Sequence, residues 1–130
     1  IPTPGLRLLG ELNPDTYYFI IDWPTESKPF YIKPKDGTPK ICEAFDLMYG
    51  YLELASGGTR IHEKDLLVER LKSQGLSPES FSHHLRVFDY GMPPHAGWGL
   101  GLSRLLMGLT GRENIRECIL FPRDRDRLTP

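Results

Sequence analysis

The chain has 130 residues, a formal net charge of -1 at pH 7, and 39% hydrophobic and 25% charged residues. These values are typical of one globular domain with a substantial core, and they exclude a protein that coats nucleic acid through its overall charge. No apolar stretch approaches the roughly 20 residues that span a membrane, and no basic-then-apolar leader opens the chain.

The cysteines and the first residue bear on the protein's compartment and on whether the chain is whole. Cys42 and Cys118 form neither a disulfide framework nor a zinc-ligand pattern, so two reduced thiols in a cytoplasmic protein are predicted. Because the chain starts with Ile1 rather than Met, we expect either a piece of a longer chain or a processed form.

The first half of the chain predicts a short helix and several strands. An extended lead-in over residues 1–5 precedes a helical segment from Leu6 to Leu12. Aromatic and β-branched runs between turn signals predict strands, the first of them buried, at residues 17–23, 30–33, 41–48 and 51–55. The last two strands are separated by Tyr49-Gly50, which predicts a tight hairpin.

The second half predicts helices and one strand-helix unit. A helix is expected over residues 63–74, ended by Gly75, and another from Ser77-Pro78 to about residue 88. The segment from Gly97 begins as a strand and continues as a leucine-striped helix that Gly111 closes. This order predicts an α+β fold, an antiparallel β-sheet flanked by helices, rather than a doubly wound parallel sheet.

The segment GWGLGLSR places three glycines in alternation along the predicted strand, at Gly97, Gly99 and Gly101. Glycine weakens a strand, so the pattern indicates either a flat ligand on that face or close cover by another helix. Arg104 would lie in the first helical turn, where a guanidinium can stack on a base or hold a phosphate. The spacing does not match a dinucleotide-binding fingerprint.

A second group of polar residues lies on and after the predicted hairpin. Asp46 and Glu53 can face each other across its two strands, and two carboxylates repel unless a cation lies between them. Mg²⁺ with a nucleoside triphosphate would satisfy them, and the alternative is that each pairs with a nearby lysine or arginine. Arg60, near Ser56, could grip a small carboxylate or form a surface salt bridge.

The four histidines do not predict a metal site. His83 and His84 lie on different faces of a helix and cannot chelate one ion together. His95 lies in a Pro-Pro-His-Ala-Gly loop beside the glycine strand, where it would either contact a substrate or be exposed to solvent.

Several segments resemble a known family. GWGLGLSRLLMGLTGRENIRECILFP, at about residues 97–122, resembles motif 3 of class IIb aminoacyl-tRNA synthetases. FDLMYGYLELASGGTRIH, KPFYIKP and YGMPPHAGWG are similar to segments of aspartyl-tRNA synthetases of the archaeal and eukaryotic-cytosolic type. The resemblance implies that residues 1–130 are the carboxy-terminal portion of a class II catalytic domain, without motif 1, motif 2 or the anticodon-binding domain.

The resemblance also implies an activity and its partners. The family activates aspartate with ATP to aspartyl-adenylate and transfers the aspartyl group to tRNA, so an aspartate-tRNA ligase is expected as the parent chain. Its expected partners are L-aspartate, ATP with Mg²⁺, tRNA for aspartate and in some members for asparagine too, and a second subunit in a homodimer. This segment alone is expected to be inactive, because motif 2 is part of the active site.

Site residues follow by matching positions. Glu53 resembles a catalytic ligand of ATP and Mg²⁺ with Asp46 beside it, and Ser56 resembles a position near both Mg²⁺ and aspartate. Arg60 resembles the arginine that binds the side-chain carboxylate of aspartate. The ATP-binding end of motif 3, which includes a catalytic arginine, is matched by Gly101, Leu102, Ser103 and Arg104. Ser103 departs from the family, which has Glu or Asp there.

Two other functions fit the same residues. One is a paralogue similar to asparagine synthetase A, which activates aspartate and passes it to ammonia without tRNA. The other is a truncated, non-catalytic module that binds a nucleotide or a partner.

Overall fold

The computed structural model describes residues 1–129, which contain six strands and four α-helices. The strands are β1 (Tyr17–Ile21), β2 (Pro34–Lys35), β3 (Thr38–Cys42), β4 (Ala44–Tyr49), β5 (Leu52–Thr59) and β6 (Ala96–Leu100). The helices are α1 (Thr3–Leu12), α2 (Lys64–Ser73), α3 (Ser82–Val87) and α4 (Leu102–Thr110). Short 3₁₀ helices occur at Thr25–Ser27, Pro78–Phe81, Phe88–Tyr90 and Ile115–Cys118.

The main sheet has four strands in the order β1-β4-β5-β6, and a smaller sheet pairs β2 with β3. The predicted α+β class with an antiparallel sheet is confirmed. The chain divides into two compact units. Unit 1 comprises residues 1–19, 46–55 and the chain from Gly99 onward, and unit 2 comprises residues 20–45 and 56–98.

Unit 1 is organised around the tip of the β4–β5 hairpin. Its turn is Gly50-Tyr51, one residue later than predicted, and Gly50 has a φ of 53° that favours glycine. The Tyr18 hydroxyl donates to the Gly50 carbonyl at 2.7 Å. A Cβ on Gly10 of α1 would approach the Tyr51 backbone nitrogen to 2.6 Å, so α1 lies directly against the turn. Met48 and Leu54 are buried.

Unit 2 contains two apolar clusters. In the larger one, Leu67 and Leu71 of α2 project from successive turns and pack with Ile61 and Leu85. Gly75 then ends this helical region with a φ of 72°, as its position predicts. The smaller cluster contains Ile32, Cys42 and Ala44, with Trp23 packed against it.

Both cysteines are free thiols, as predicted. Burial raises the pKa of the Cys42 thiol above its ordinary value, and its Sγ donates to the Trp23 carbonyl at 3.3 Å. No helix within residues 1–129 combines the length and apolarity needed to cross a membrane.

Three strand predictions need correction. β1 alternates between exposed and half-buried residues instead of being buried, because it is an edge strand of the sheet. Residues 30–33 form a turn, in which the Ile32 N–H donates to the Pro29 carbonyl, and only Ile32 makes a bridge, to Arg60. The predicted strand 41–48 is divided between β3 and β4 by a bend at Glu43.

The helix predictions are closer to the structure. The lead-in over residues 1–5 is wrong in part, because α1 begins at Thr3 with Pro4 in its first turn. α2 agrees with the prediction to within a residue at each end, whereas the next predicted helix is divided into 3₁₀, α and 3₁₀ segments. α4 ends at Gly111 as predicted, with a φ of 66°.

Gly58 of β5 allows two backbone segments to approach closely. A Cβ at this position would lie 2.4 Å from the Glu43 carbonyl oxygen and 3.0 Å from the Ala44 Cα, atoms that cannot move aside independently. We therefore expect Gly58→Ala to lower the free energy of unfolding by about 1–3 kcal/mol in urea denaturation. Gly99→Ala is the matched control, because no described atom lies within 4 Å of its Cβ. Equal effects of both changes would contradict this account.

Candidate functional site

In unit 1, the structure brings together the predicted residues at the start of α4 and on β5. The Arg104 guanidinium donates from Nη1 to the Glu53 backbone carbonyl at 2.9 Å. The Gly101 N–H donates to the Leu54 carbonyl at 2.8 Å, and the Gly101 carbonyl accepts from Leu105 at 2.9 Å. The bonds from Arg104 and from the Gly101 N–H attach the start of α4 to β5, and the bond from Arg104 holds its guanidinium beside the Glu53 backbone.

The two carboxylates of the hairpin differ in their environment. Asp46 on β4 is only 4% exposed and is engaged by neighbouring groups, whereas Glu53 on β5 is exposed. Within the described residues, no lysine or arginine forms an ion pair with the Glu53 carboxylate. Glu53 is therefore available to a ligand, and the predicted surface salt bridge does not form there.

No group of three or more His, Cys, Asp or Glu side chains within residues 1–129 is arranged to hold a metal ion. A pair of carboxylates still fits Mg²⁺, which usually takes one or two protein carboxylates and completes its shell with waters and substrate phosphates. Glu53 is exposed, as that mode of binding requires, whereas Asp46 is buried and already engaged, so its part in binding the ion stays a prediction. Ser56, the third predicted metal ligand, belongs to unit 2, where it is half-buried and has a neighbouring interaction.

The rest of the predicted nucleotide segment is accessible. Leu102, the first residue of α4, is 64% exposed, and Ser103 is half-buried. Gly101 precedes the helix without a side-chain cap, so backbone N–H groups of the first turn have no capping side chain. Such groups favour anions. Of the two alternatives for the glycine face, close cover is not observed at Gly99, where no described atom beyond its chain neighbours lies within 4 Å of an added Cβ.

In unit 2, Arg60 is held by an aromatic ring and by the backbone. Its Cζ lies 4.6 Å from the centroid of the Tyr31 ring, a cation–π contact. Its backbone N–H donates to the His95 carbonyl at 2.9 Å. No carboxylate among residues 1–129 forms an ion pair with Arg60, so the predicted alternative of a salt bridge is not observed in this part of the chain.

Arg60 forms part of the wall of a cavity of about 540 Å³ within unit 2. That size lies within the range of about 300–1,000 Å³ that is typical of ligand pockets. The rest of the wall is mostly apolar, with Tyr31, His84 and His95 as the other side chains that carry polar atoms; it includes Phe30, Ile61, Leu67, Phe81, Phe88 and Met92. A cation in an apolar wall is suited to select an anionic ligand.

In the part of the chain that the structure describes, no histidine belongs to a group of three or more side chains that could hold a metal ion. His84 lies 5.5 Å from Phe88 in an edge-to-face contact, and His95 is exposed with Nδ1 2.9 Å from the Pro93 carbonyl. The sequence did not reveal Tyr31 as a neighbour of Arg60. The available signal was the aromatic pair Phe30-Tyr31, which suggested only a strand.

The relatives of the chain are synthetases. A family model described as tRNA synthetases class II (D, K and N) matches residues 1–125. The chain is 58% identical over 127 residues to the aspartate–tRNA(Asp/Asn) ligase of Methanococcus aeolicus, covering 98% of this chain and 29% of that protein. It is 63% identical over 124 residues to the ligase of the same name from Methanocaldococcus jannaschii, covering 95% of this chain and 28% of that protein.

Solved structures give the same result. The aspartyl-tRNA synthetase of Entamoeba histolytica matches with a TM-score of 0.91 and 35% identity, over 100% of this chain and 28% of that one. The asparaginyl-tRNA synthetase of Pyrococcus horikoshii, complexed with asparaginyl-adenylate, matches with a TM-score of 0.89 and 33% identity, covering 99% of this chain and 30% of that one. The chain thus spans less than a third of the length of these relatives. On this evidence, the chain belongs to the class II tRNA synthetases of the D, K and N group.

Proposed function

We propose that this chain is the carboxy-terminal part of the catalytic domain of an aspartate-tRNA ligase. The observation that carries the proposal is the position of Arg60. Its guanidinium lies in the wall of the cavity, and no carboxylate of the described residues pairs with it. A guanidinium fork matches the geometry of a carboxylate. A neutral amide would bind more weakly, because it carries no negative charge to pair with the guanidinium. The amino acid side chain that Arg60 selects is therefore that of aspartate rather than asparagine.

The residues of unit 1 supply the nucleotide contacts. Arg104, in the first turn of α4, binds the triphosphate or stacks on adenine, and Gly101, Leu102 and Ser103 lie along the bound nucleotide. Asp46 and Glu53 would hold the Mg²⁺ that accompanies ATP, an ion whose charge offsets that of the phosphates. Ser56 of unit 2 contacts aspartate, as the family resemblance implies.

The reaction needs charge stabilisation and no covalent enzyme group. An α-carboxylate oxygen of aspartate forms a bond to the α-phosphorus of ATP, and the bond from that phosphorus to the bridging oxygen breaks, releasing pyrophosphate. A ribose hydroxyl of tRNA then attacks the carbonyl carbon of the adenylate and AMP leaves. The first step brings two anionic groups together, and the second builds negative charge on the carbonyl oxygen and on the phosphate of AMP, which leaves as the hydroxyl gives up its proton. Positioned guanidinium groups therefore lower both barriers.

The proposal is tested on the full-length protein that contains these residues. Aspartate-dependent exchange of pyrophosphate into ATP is expected, with little exchange for asparagine. Transcripts of tRNA for aspartate and for asparagine show which tRNA is charged, since the relatives carry both in their names. Formation of asparagine from aspartate and ammonia without tRNA would instead support the asparagine-synthetase-like paralogue, and an absence of all three activities would support a binding module.

The isolated segment is expected to behave differently. Residues 1–130 incubated with ATP, Mg²⁺ and aspartate should show little or no pyrophosphate exchange, because the resemblance places motif 2 outside them. Robust exchange by this segment alone would contradict its assignment as part of an active site. Sedimentation of the full-length protein tests the homodimer that the resemblance implies.

A further inference from the structure

Arg60 has two neighbours that no part of the proposed reaction uses, Tyr31 and Gly97. Tyr31 places its ring face under the guanidinium, with the Arg60 Cζ 4.6 Å from the ring centroid. Gly97 lies at the start of β6, and a Cβ there would lie 3.0 Å from Nη2 and 3.2 Å from Nε of Arg60. One neighbour attracts the guanidinium, and the other leaves the space that the guanidinium occupies.

The Tyr31 ring is itself fixed in place. The Tyr31 carbonyl accepts a hydrogen bond from the Ile61 N–H at 3.0 Å, and the next residue, Ile32, bridges to Arg60. Phe30 makes an edge-to-face contact with the Tyr31 ring, with centroids 5.3 Å apart and planes at 80°. The backbone of residues 31–33 is therefore hydrogen-bonded to the residues before and after Arg60, which holds the Tyr31 ring beside the guanidinium.

An arginine side chain has several rotatable bonds, and holding it in one orientation before the ligand binds lowers the entropic cost of binding. A stacked ring restrains the guanidinium without using its N–H donors, which stay free for a carboxylate. A carboxylate partner from the protein would use those donors, and none of the described residues supplies one to Arg60.

We propose that Tyr31 and Gly97 are positioning residues that orient the Arg60 guanidinium for a carboxylate ligand. The proposal rests on the proposed function, in which that ligand is the aspartate side chain. Both residues line the same cavity as Arg60, and neither is assigned a part in the bond-making steps. Their contribution is to the affinity for aspartate, through Arg60, and not to the binding of ATP.

The test uses the full-length protein with Tyr31→Leu, Tyr31→Phe and Gly97→Ala, measured by pyrophosphate exchange. Tyr31→Leu should raise the KM for aspartate by about 2- to 30-fold, the change that corresponds to a cation–π contact, and leave the KM for ATP and the Tm unchanged. Tyr31→Phe keeps the ring face and should restore the KM for aspartate. Tyr90→Leu is the matched control, because Tyr90 is 78% exposed and does not line the cavity.

Gly97→Ala tests the second neighbour independently. The atoms that a new Cβ would meet are the movable end of the Arg60 side chain, so the guanidinium moves while the Tm stays the same. The KM for aspartate should rise here as well. Unchanged aspartate KM values in Tyr31→Leu and Gly97→Ala, equal rises in both substrates' KM values, or a lowered Tm that accounts for the loss would overturn the proposal.

A crystal structure of the full-length Tyr31→Leu protein separates this inference from the proposed function. If the unmodified protein shows no aspartate-dependent exchange, the proposed function fails, but the orientation of Arg60 is still observable. A guanidinium that leaves its position above residue 31 supports the inference, and one that stays in the same place overturns it.

Discussion

Replacing Arg60 by leucine in the full-length protein is expected to reduce kcat/KM for aspartate in pyrophosphate exchange by about 10²-fold or more. The change removes the positive charge and the fork that bind the side-chain carboxylate, while the backbone bonds of Arg60 to its neighbours remain. Leucine can still lie on the Tyr31 ring, so folding should be preserved. The affinity for ATP, measured by calorimetry, should remain within about twofold of the unmodified protein's, because the residues proposed to bind ATP do not include Arg60.

Arg60→Lys provides the matched comparison. Lysine retains the charge but presents a single ammonium instead of a planar fork, so an intermediate loss is expected. A variant that loses affinity for ATP and for aspartate equally would show that Arg60 supports the structure in general and does not bind the carboxylate. A loss of activity together with a lowered Tm would lead to the same conclusion.

Local signals in the sequence were sufficient where neighbouring residues decide the structure. Spacing and residue type predict the i and i+4 leucines of α2 and the glycines that follow α2 and α4, and they predict the turn before β5 to within one residue. The wrong predictions concern segments whose structure depends on which strands pair with each other. The apolar composition of β1 predicts a buried strand, but its exposure depends on its place at the edge of the sheet, which composition does not encode.

The candidate site shows the same division. Glu53 and Arg104 lie 51 positions apart in the chain. Their contact depends on the hydrogen bonds between the start of α4 and β5, which sequence spacing does not predict. The family resemblance selected both residues, whereas residue chemistry left each with alternatives. Tyr31 was missed because a cation–π contact depends on the bridge between Ile32 and Arg60, a pairing that no local pattern predicts.

Replacing Arg104 by alanine in the full-length protein is expected to lower kcat/KM for ATP by about 10²-fold. A guanidinium has five N–H donors. One N–H group of Arg104 is engaged by the Glu53 carbonyl, which fixes the direction of the side chain and leaves the others for a phosphate or a base. Because Arg104 is exposed, its removal should have little effect on the Tm. The KM for aspartate should change by less than about twofold.

Arg112→Ala is the matched control for Arg104→Ala. Arg112 is also an exposed arginine of unit 1, and its guanidinium pairs with Glu117 at 3.3 Å in a surface salt bridge of small energetic value. It should leave both KM values unchanged. Arg104→Lys should recover only part of the loss, because an ammonium cannot donate to the Glu53 carbonyl and present a planar face to a nucleotide at the same time. An unchanged kcat/KM for ATP in Arg104→Ala would remove Arg104 from the nucleotide site and leave its bond to β5 as its role.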